Sequence, residues 1–523
     1  MSRTLFECDA TELRSLLDAG EVSSVEIVEA LHERADAIEP KVGAFAHQLR
    51  RSAMERAKSC DAERASGEAT GVLHGIPVSI KESIDTVGLA STLGMRSRVG
   101  HPAARDAVTV RVTRSEGAIV LGKTNVPQTL LAPLETTNEL FGTTNNPWNL
   151  GHGAGGSSGG EGAAVATGMS PMGIGTDIGG SIRSPAVLCG VVGIKPTGDR
   201  WSNIGSSSAI VGQEFIRSQT GPLARSVRDL ALYMRALDPT KQAPFDPRVV
   251  PHPFPDPNDV DATTLRVGYY EDDGFFTPAA SIRRAIREAV ALLEKAGVEV
   301  VRYDPPNVEE IVYGYLKGIS ADGTETLFNA MGDEPFIQPL RTMGRLAKMP
   351  RQARNTLAKA LSMMGESRVP KMLESLGEKR VIDFWALTAE RNRHRLEERA
   401  AWKREGIDVL ITPALVTPAP PHGESHDFTL SFVNLARYNY LDLPCGVVPI
   451  SRVRPDEVNR TGVRDRLDKR AASIESKSIG LPVGVQVVGR PWEEHRLLAL
   501  MELLETEAKK SEFWPVTPVT PHH

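Results

Sequence analysis

Short β-like runs, IPVSI at 76–80, GAIVLG at 117–122, GIGT at 173–176 and VVGI at 191–194, punctuate this chain between Gly- and Pro-rich turns. Helical patterns such as DAVTVRVTRSEG at 106–117 fit between them. Short runs of this kind, bounded by turn residues, read as strands. Strands alternating with helices predict an α/β layered sheet. The rhythm returns in LRVGYYED at 265–272 with SIRRAIREAVALLEKAGVEVVRYDPP at 281–306. It returns again in IDVLITPA at 407–414, LPCGVVPI at 443–450 and LPVGVQVVGR at 481–490, with a closing helix in EEHRLLALMELLETEAKK at 493–510. Before the first strand, residues 10–67 read as helices. Leu13, Leu16, Leu17, Val25, Ile27, Val28 and Leu31 stand at helical spacing, and Ser23 or Ser24 is placed to cap the second helix.

The expected organisation is one compact unit in four stretches. These are an N-terminal helical segment over 1–68, a catalytic core over 69–320, a charged helical insertion or cap over 321–404, and the rest of the core over 405–515. The stretch 452–474, RVRPDEVNRTGVRDRLDKRAASI, reads as a polar, exposed loop. With 61 basic and 66 acidic residues the formal net charge is -5, which gives no pull toward nucleic acid. Cys8, Cys60, Cys189 and Cys445 are scattered without a CxxC pair, which suits a reducing compartment. The N-terminus MSRTLFECDATELRSLL has no apolar run of the signal-peptide kind, and no stretch approaches the length of a membrane span, so a cytoplasmic protein is expected. His522 and His523 are given no role.

The chemistry is concentrated in GGSSGGEGAAVATGMSPMGIGTDIGGSIRS, residues 155–184. Ser157 and Ser181 each follow a Gly-Gly pair. Glycines beside a serine let backbone amides approach a substrate closely, so such a loop can present a hydroxyl nucleophile and surround a developing oxyanion. The amides of Ile178, Gly179, Gly180 and Ser181 are placed to converge on one oxygen. Lys81 ends the apolar strand IPVSI, where burial disfavours its charged form and makes it a usable base. Ser157 is the candidate bridge between Lys81 and Ser181. Asp177 and Arg183 read as a pair fixing the oxyanion loop, with Ser158, Thr176 and Asn125 as polar support and Met169 and Met172 as core filling. No metal and no cofactor are implied.

Two motif matches lack their physical context. GAIVLGKT at 117–124 fits a phosphate loop by letter, but an apolar, partly β-branched run is a buried strand and not a flexible anion cradle. GGSSG at 155–159 fits a nucleophile elbow, which needs a strand just before it, whereas NNPWNLGHGA reads as turn-forming. It also needs a later acid and then a histidine, and His394, His422, His426 and His495 read as surface or packing residues, so the elbow stands as the second mechanistic reading.

Lys81 in GIPVSIKESIDT, together with the two Gly-Gly-Ser sites, resembles the amidase signature family of serine hydrolases. That resemblance implies a Ser–cisSer–Lys triad of Ser181, Ser157 and Lys81, with Ser157 after a cis peptide bond. It also implies an α/β/α sandwich with a large mixed central sheet flanked by helices. LARYNYLDLPCGVVPI at 435–450 and KSIGLPVGVQVVGRPWEEHRLL at 477–498 are similar to the fatty acid amide hydrolase branch. The implied activity is cleavage of apolar N-acyl amides through an acyl-enzyme, with ester, anilide or carbamate side activity. The alternatives are a small-amide or aryl-acylamide amidase, and an amidotransferase A-type subunit working only in a complex. The implied partner is a small-molecule acyl amide, and a homodimer is compatible. PLRTMGRLAKMPRQARNTLAKALSMMG has six basic and no acidic residues between Arg341 and Ala360, and a break at Pro350. Leu340, Met343, Leu346, Ala353, Leu357, Leu361 and Met364 recur at near-helical spacing. A basic amphipathic pair over 338–366 is expected to serve as a substrate-gating lid with solvated cations, weak membrane contact being the lesser expectation.

Overall fold

Eleven strands form one mixed sheet through the middle of the molecule, and the reason is legible in its strands: most are buried on both faces. The computed structural model describes residues 4–132, 134–426, 428 and 430–521, without the side chains of Pro339, Met343 and Ala347; His522 and His523 lie outside the described residues. In chain order the strands of this sheet are β1 (Phe45–Gln48), β2 (Pro77–Lys81), β3 (Ile119–Thr124), β7 (Met172–Asp177), β8 (Val192–Lys195) and β9 (Gln219–Ala224), followed by β10 (Arg266–Tyr269), β11 (Glu299–Arg302), β12 (Val409–Pro413), β13 (Cys445–Arg452) and β14 (Pro482–Val488). The spatial order is β1-β3-β2-β7-β9-β8-β13-β14-β12-β10-β11. Three further strands, β4 (Thr136–Asn138), β5 (Gly142–Asn146) and β6 (Asn149–Gly153), make a small antiparallel sheet. Every residue of β2, β3, β7, β8, β9, β12 and β14 is buried, as expected where helices cover both faces.

The helices before the cap are α1 (Ala10–Asp18), α2 (Ser24–Val42), α3 (Arg50–Ala65), α4 (Val108–Ser115), α5 (Gly159–Ala166), α6 (Arg183–Cys189), α7 (Val227–Ala236), α8 (Pro239–Gln242) and α9 (Ala280–Lys295). Ser23 caps α2, accepting from the Glu26 amide while the Glu26 carboxylate accepts from the Ser23 amide. From Val308 to Glu405 the chain is helical: α10 (Val308–Ile319), α11 (Glu325–Met331), α12 (Arg341–Lys348), α13 (Arg351–Met363), α14 (Arg368–Ser375) and α15 (Val381–Glu405). The chain closes with α16 (Val433–Tyr440), α17 (Arg466–Glu475) and α18 (Glu494–Ala508). Among the described residues no helix is long and apolar enough to cross a membrane.

Several expectations need correction. Residues 10–67 are not all helical: Gly43, at φ 64°, ends α2, and β1 then pairs antiparallel with β3 at the sheet edge. The stretch NNPWNLGHGA is not mere turn, since it supplies the end of β5 and all of β6. The segment 452–474 is not uniformly exposed. The side chain of Arg460 is buried against Glu475, and Asp465 at the start of α17 is buried against Arg368 of α14. GAIVLGKT is, as expected, a buried strand: its residues 119–124 are β3, with the ammonium of Lys123 buried and donating to the Ala90 carbonyl at 2.9 Å.

The cap follows the expected helix pair with its break at Pro350, but its buried stripe differs. Ala358 and Leu361 are buried with Leu340, whereas Ala353 is exposed and Met364 is 75% exposed. The side chain of Met343 lies outside the described residues. Arg341, Arg345, Lys348, Arg351 and Lys359 are exposed, but Arg354 is buried, so the cations are not all solvated.

Candidate active site

Parallel neighbours bring their carboxyl ends together, and β2 and β7 are such a pair, with Ser79 opposite Gly173 and Ile80 opposite Ile174. Lys81 closes β2, and Thr176 and Asp177 close β7, so these side chains meet at one rim of the sheet. Ligands of open α/β sheets bind at such rims. Two loops cross this rim. One runs from β6 through Gly155–Ser158 into α5, the other from β7 through Ile178–Ile182 into α6.

Both loops rely on glycine. Gly155 has φ 79°, and a Cβ there would stand 2.6 Å from the Cα of Pro185. Gly180 has φ 115°, and a Cβ there would meet Leu435 at 2.4 Å. These are conformations and approaches that side chains disfavour. The Gly156–Ser157 peptide is cis. The Ser158 amide donates to the Ser181 carbonyl at 3.1 Å, tying the two serine loops to each other.

Lys81 is fully buried. Its Nζ donates to Ser157 Oγ at 2.7 Å and to Thr176 Oγ1 at 2.8 Å. Burial pushes the ammonium down to about 7, against the opposing pull of Asp177, Glu161 and Glu82. Ser181 lines a cavity and makes no hydrogen bond through its hydroxyl among the described residues. Lys81 is thus joined directly to Ser157, while Ser181 lies on the cavity wall.

The Ile178–Ile182 loop is organised by Asp177. Its carboxylate accepts from the amides of Gly180 at 2.8 Å and Ile182 at 3.2 Å. Burial works to raise the Asp177 pKa, but the Arg183 guanidinium, with Nε and Nη2 at 2.9 and 2.8 Å, and the Asn439 amide at 2.9 Å hold it well below the usual carboxylate range. Arg183 also donates to the Leu435 carbonyl at 3.1 Å and to Asn439 Oδ1 at 2.6 Å. Of the four amides expected to face an oxyanion, that of Gly180 is thus engaged by Asp177. The amides of Ile178, Gly179 and Ser181 make no bond among the described residues. Ser158 Oγ lies 3.4 Å from the Thr176 amide it accepts from. Asn125 turns to Thr144, at 3.1 Å, and does not touch this cluster. Met169 and Met172 are core residues.

Sequence reasoning passed over Glu161, although it stands in GGSSGGEG. It is fully buried and accepts from Ser79 Oγ at 2.6 Å, on the lysine's own strand β2, and from Thr124 Oγ1 at 2.9 Å, on the neighbouring β3. Burial pushes its carboxyl up to about 7, against those two hydroxyls and Lys81. Asn439 and Tyr315, whose hydroxyl donates to the Ile178 carbonyl at 3.2 Å, were passed over as well; both lie far along the chain, and the motif that holds Asn439 does not point to it. His426 is neither remote nor purely packing, because it lines the same cavity as Ser181 and sits 3.5 Å from Glu135. His394 and His422 pack against Tyr440 and Glu135.

The cavity encloses about 260 Å³. Ser181, Ile178 and Gly179 lie at the sheet rim. Its walls are largely apolar, including Leu131, Ile319, Leu346, Met372 and Phe432, with Ser425, His426 and Ser431 as a polar patch. Such a site suits an acyl carbon presented to Ser181 with an apolar chain running under the helices 308–375.

A family model described as Amidase matches residues 26–498. Fatty-acid amide hydrolase 1 of Sus scrofa is 37% identical over 85% of this chain and 78% of its own length. Fatty acid amide hydrolase 1 of Caenorhabditis elegans is 30% identical over 95% of this chain and 87% of its own length. A solved fatty acid amide hydrolase superposes with a TM-score of 0.83 at 27% identity, covering 97% of this chain and 87% of that one.

Proposed function

The chain belongs to the amidase family, whose chemistry is cleavage of amide C–N bonds, and we propose that it performs this cleavage on apolar N-acyl amides with Ser181 as nucleophile. The observation that carries the specificity is the apolar cavity touching Ser181. Neutral Lys81 draws the proton of Ser157, and Ser157 draws that of Ser181 as its oxygen attacks the acyl carbon. The oxyanion that forms is met by the amides of Ile178, Gly179 and Ser181, and Gly180 orders the loop through Asp177. As the C–N bond breaks, the proton returns through Ser157 to the leaving amine. Water then attacks the Ser181 ester along the same relay and releases the carboxylic acid.

The test is kcat/KM of the isolated protein on p-nitroanilides of straight-chain acids from two to eighteen carbons. Each CH2 entering the cavity contributes up to about 0.8 kcal/mol, about fourfold in kcat/KM. A rise of that order over the first several carbons is expected. A maximum at two or three carbons would instead favour a small-amide amidase, and no turnover would favour an amidotransferase-type protein that works only in a complex.

We also propose that the α12–α13 face touches anionic bilayers. Met363 is 89% exposed beside the exposed cations of the cap, and Trp385 stands 66% exposed on α15. Apolar side chains flanked by cations suit a lipid interface. Co-sedimentation with phosphatidylglycerol vesicles is expected to exceed that with phosphatidylcholine, and Met363→Ser with Met364→Ser to reduce it severalfold. Equal recovery with both lipids would remove the membrane contact.

A further inference from the structure

Arg354 of α13 is 6% exposed and lines two cavities. One is the apolar cavity that reaches Ser181. The other, of about 910 Å³, is charged and lies between α10, α13, α14 and α15. Lys317, Arg351 and Lys379 line that second cavity with Arg354. Among the described residues none of these four cations forms an ion pair.

Structural duties account for part of this arrangement. Arg354 donates to the carbonyls of Met349 at 3.3 Å and Leu376 at 2.8 Å, which follow α12 and α14. Lys379 donates to the carbonyls of Ser375 at 3.1 Å and Gly377 at 2.5 Å. Two helix C-termini supply roughly half a negative charge each, so they offset about one of four positive charges. The Arg354 Nε is buried and has no partner among the described residues. The acids of the two cavities do not close the balance: Asp322, on the wall of the apolar one, is exposed and accepts from the amides of Thr324 and Thr326. Asp383 is taken by Arg380 at 2.7 Å, Glu390 faces Arg393 at 3.8 Å, and Glu374 and Glu378 are exposed on the wall without pairing to the four. Crowding is felt at Lys379, which burial and then Arg354, Arg351 and Lys317 push down to about 8 against the opposing pull of Asp383. The turn at Gly377 is shaped to the guanidinium: its φ is 94°, and a Cβ there would stand 2.3 Å from Arg354 Nη2.

A buried cation without a counter-charge is costly, and an arriving anion relieves it. The same guanidinium borders the space assigned above to the acyl chain. We propose that Arg354 binds the anionic far end of an acyl chain whose amide carbonyl lies at Ser181, which makes amides of ω-carboxy fatty acids a substrate class of this enzyme. This rests on the apolar-acyl specificity proposed above. The carboxylate enters the junction between the two cavities, with the alkyl stem against Leu376 and Met372 and the charge shared by Arg354 and Lys379.

The experiment compares p-nitroanilides of alkanoic acids with the mono-p-nitroanilides of α,ω-alkanedioic acids, both from eight to eighteen carbons. With wild-type protein the dioic series is expected to exceed the methyl-ended series by at least about tenfold in kcat/KM at one preferred length, the scale of a charge-assisted hydrogen bond. That ratio is expected to fall at least tenfold in Arg354→Met, and severalfold in Lys379→Gln or in 0.5 M NaCl. The wild-type ratio and Lys379→Gln stand on their own where Arg354→Met, which also uncaps two helices, fails to fold. Turnover of the methyl-ended series with no preferred dioic length overturns the anionic-terminus site alone. A preference that survives both substitutions overturns it too. No turnover of either series overturns the apolar-acyl specificity and this site together.

Discussion

Lys81→Met is expected to lower kcat/KM on an acyl p-nitroanilide at pH 7 by about 10²- to 10⁴-fold, the usual span of a general base, while leaving the far-ultraviolet circular dichroism of the fold unchanged. The ammonium of Lys81 is held by Ser157 Oγ and Thr176 Oγ1, and its position at the end of an entirely buried strand suits it to the proposed role of base. Pushed down to about 7, it is half neutral near physiological pH. Only neutral Lys81 can take a proton, so the wild-type rate falls with decreasing pH below about 7 and levels off above it. Lys81→Met removes that limb along with the rate. A variant that kept the acidic limb at reduced amplitude would assign the titration to another group, the buried Glu161 being first in line. A neutral effect on rate would remove Lys81 from the mechanism.

What the sequence made legible follows a physical pattern. Lys81, Ser157 and Ser181 could be named because each stands where residue type and neighbours speak together: a lysine closing an apolar strand, and serines behind paired glycines. The inner strands β2, β3, β12 and β14 were visible because burial on both faces selects apolar residues nearly without interruption. β1 was not, since FAHQ has four residues and owes its strand to pairing with β3. β9 reads QTGPLA, whose glycine and proline signal a turn, yet it lies between β7 and β8 with Pro222 opposite Ile174. Its conformation is imposed by its neighbours. β6 was hidden for a like reason, and with it the strand that precedes the Ser157 loop. What separates this loop from a nucleophile elbow is therefore the partner of Ser157, which is a lysine and not a histidine. In the cap, helical spacing located α12 and α13 but not their inner faces. Arg354 lies inside and Met364 outside because α14 and the turn at Gly377 cover one side of α13, a fact of tertiary packing that no local period records.

The second large effect is expected from the ion pair beneath the oxyanion loop. Arg183→Met should lower the free energy of unfolding by about 3–5 kcal/mol, the usual consequence of removing one member of a buried pair, measured by urea denaturation at pH 7. The Asp177 carboxylate would keep its bonds to the amides of Gly180 and Ile182 and to Asn439, but would lose two charged donors in a site closed to water. The pH dependence distinguishes this from simple loss of packing. In the wild type the folded pKa of Asp177 lies below the unfolded value of 3.8. The unfolded chain then binds more protons around and below that pH, and stability contributed by Asp177 is present above 3.8 and lost as pH falls. Without Arg183, burial dominates and the folded pKa rises above 3.8. The folded chain then holds the extra proton, so stability falls as pH rises through the interval between the two values. The deficit of Arg183→Met relative to wild type should accordingly be larger at pH 7 than at pH 4.5, and Asp177→Asn added to it should narrow the deficit at pH 7. A deficit equal at both pH values would mean that Arg183 acts through packing and its bonds to Leu435 and Asn439 and not through the Asp177 charge. Because Asp177 also holds the Gly180 amide, the same substitution is expected to slow acylation of Ser181 by a fluorophosphonate even at a temperature where the variant is fully folded. That links the stability of the pair to the order of the loop it supports.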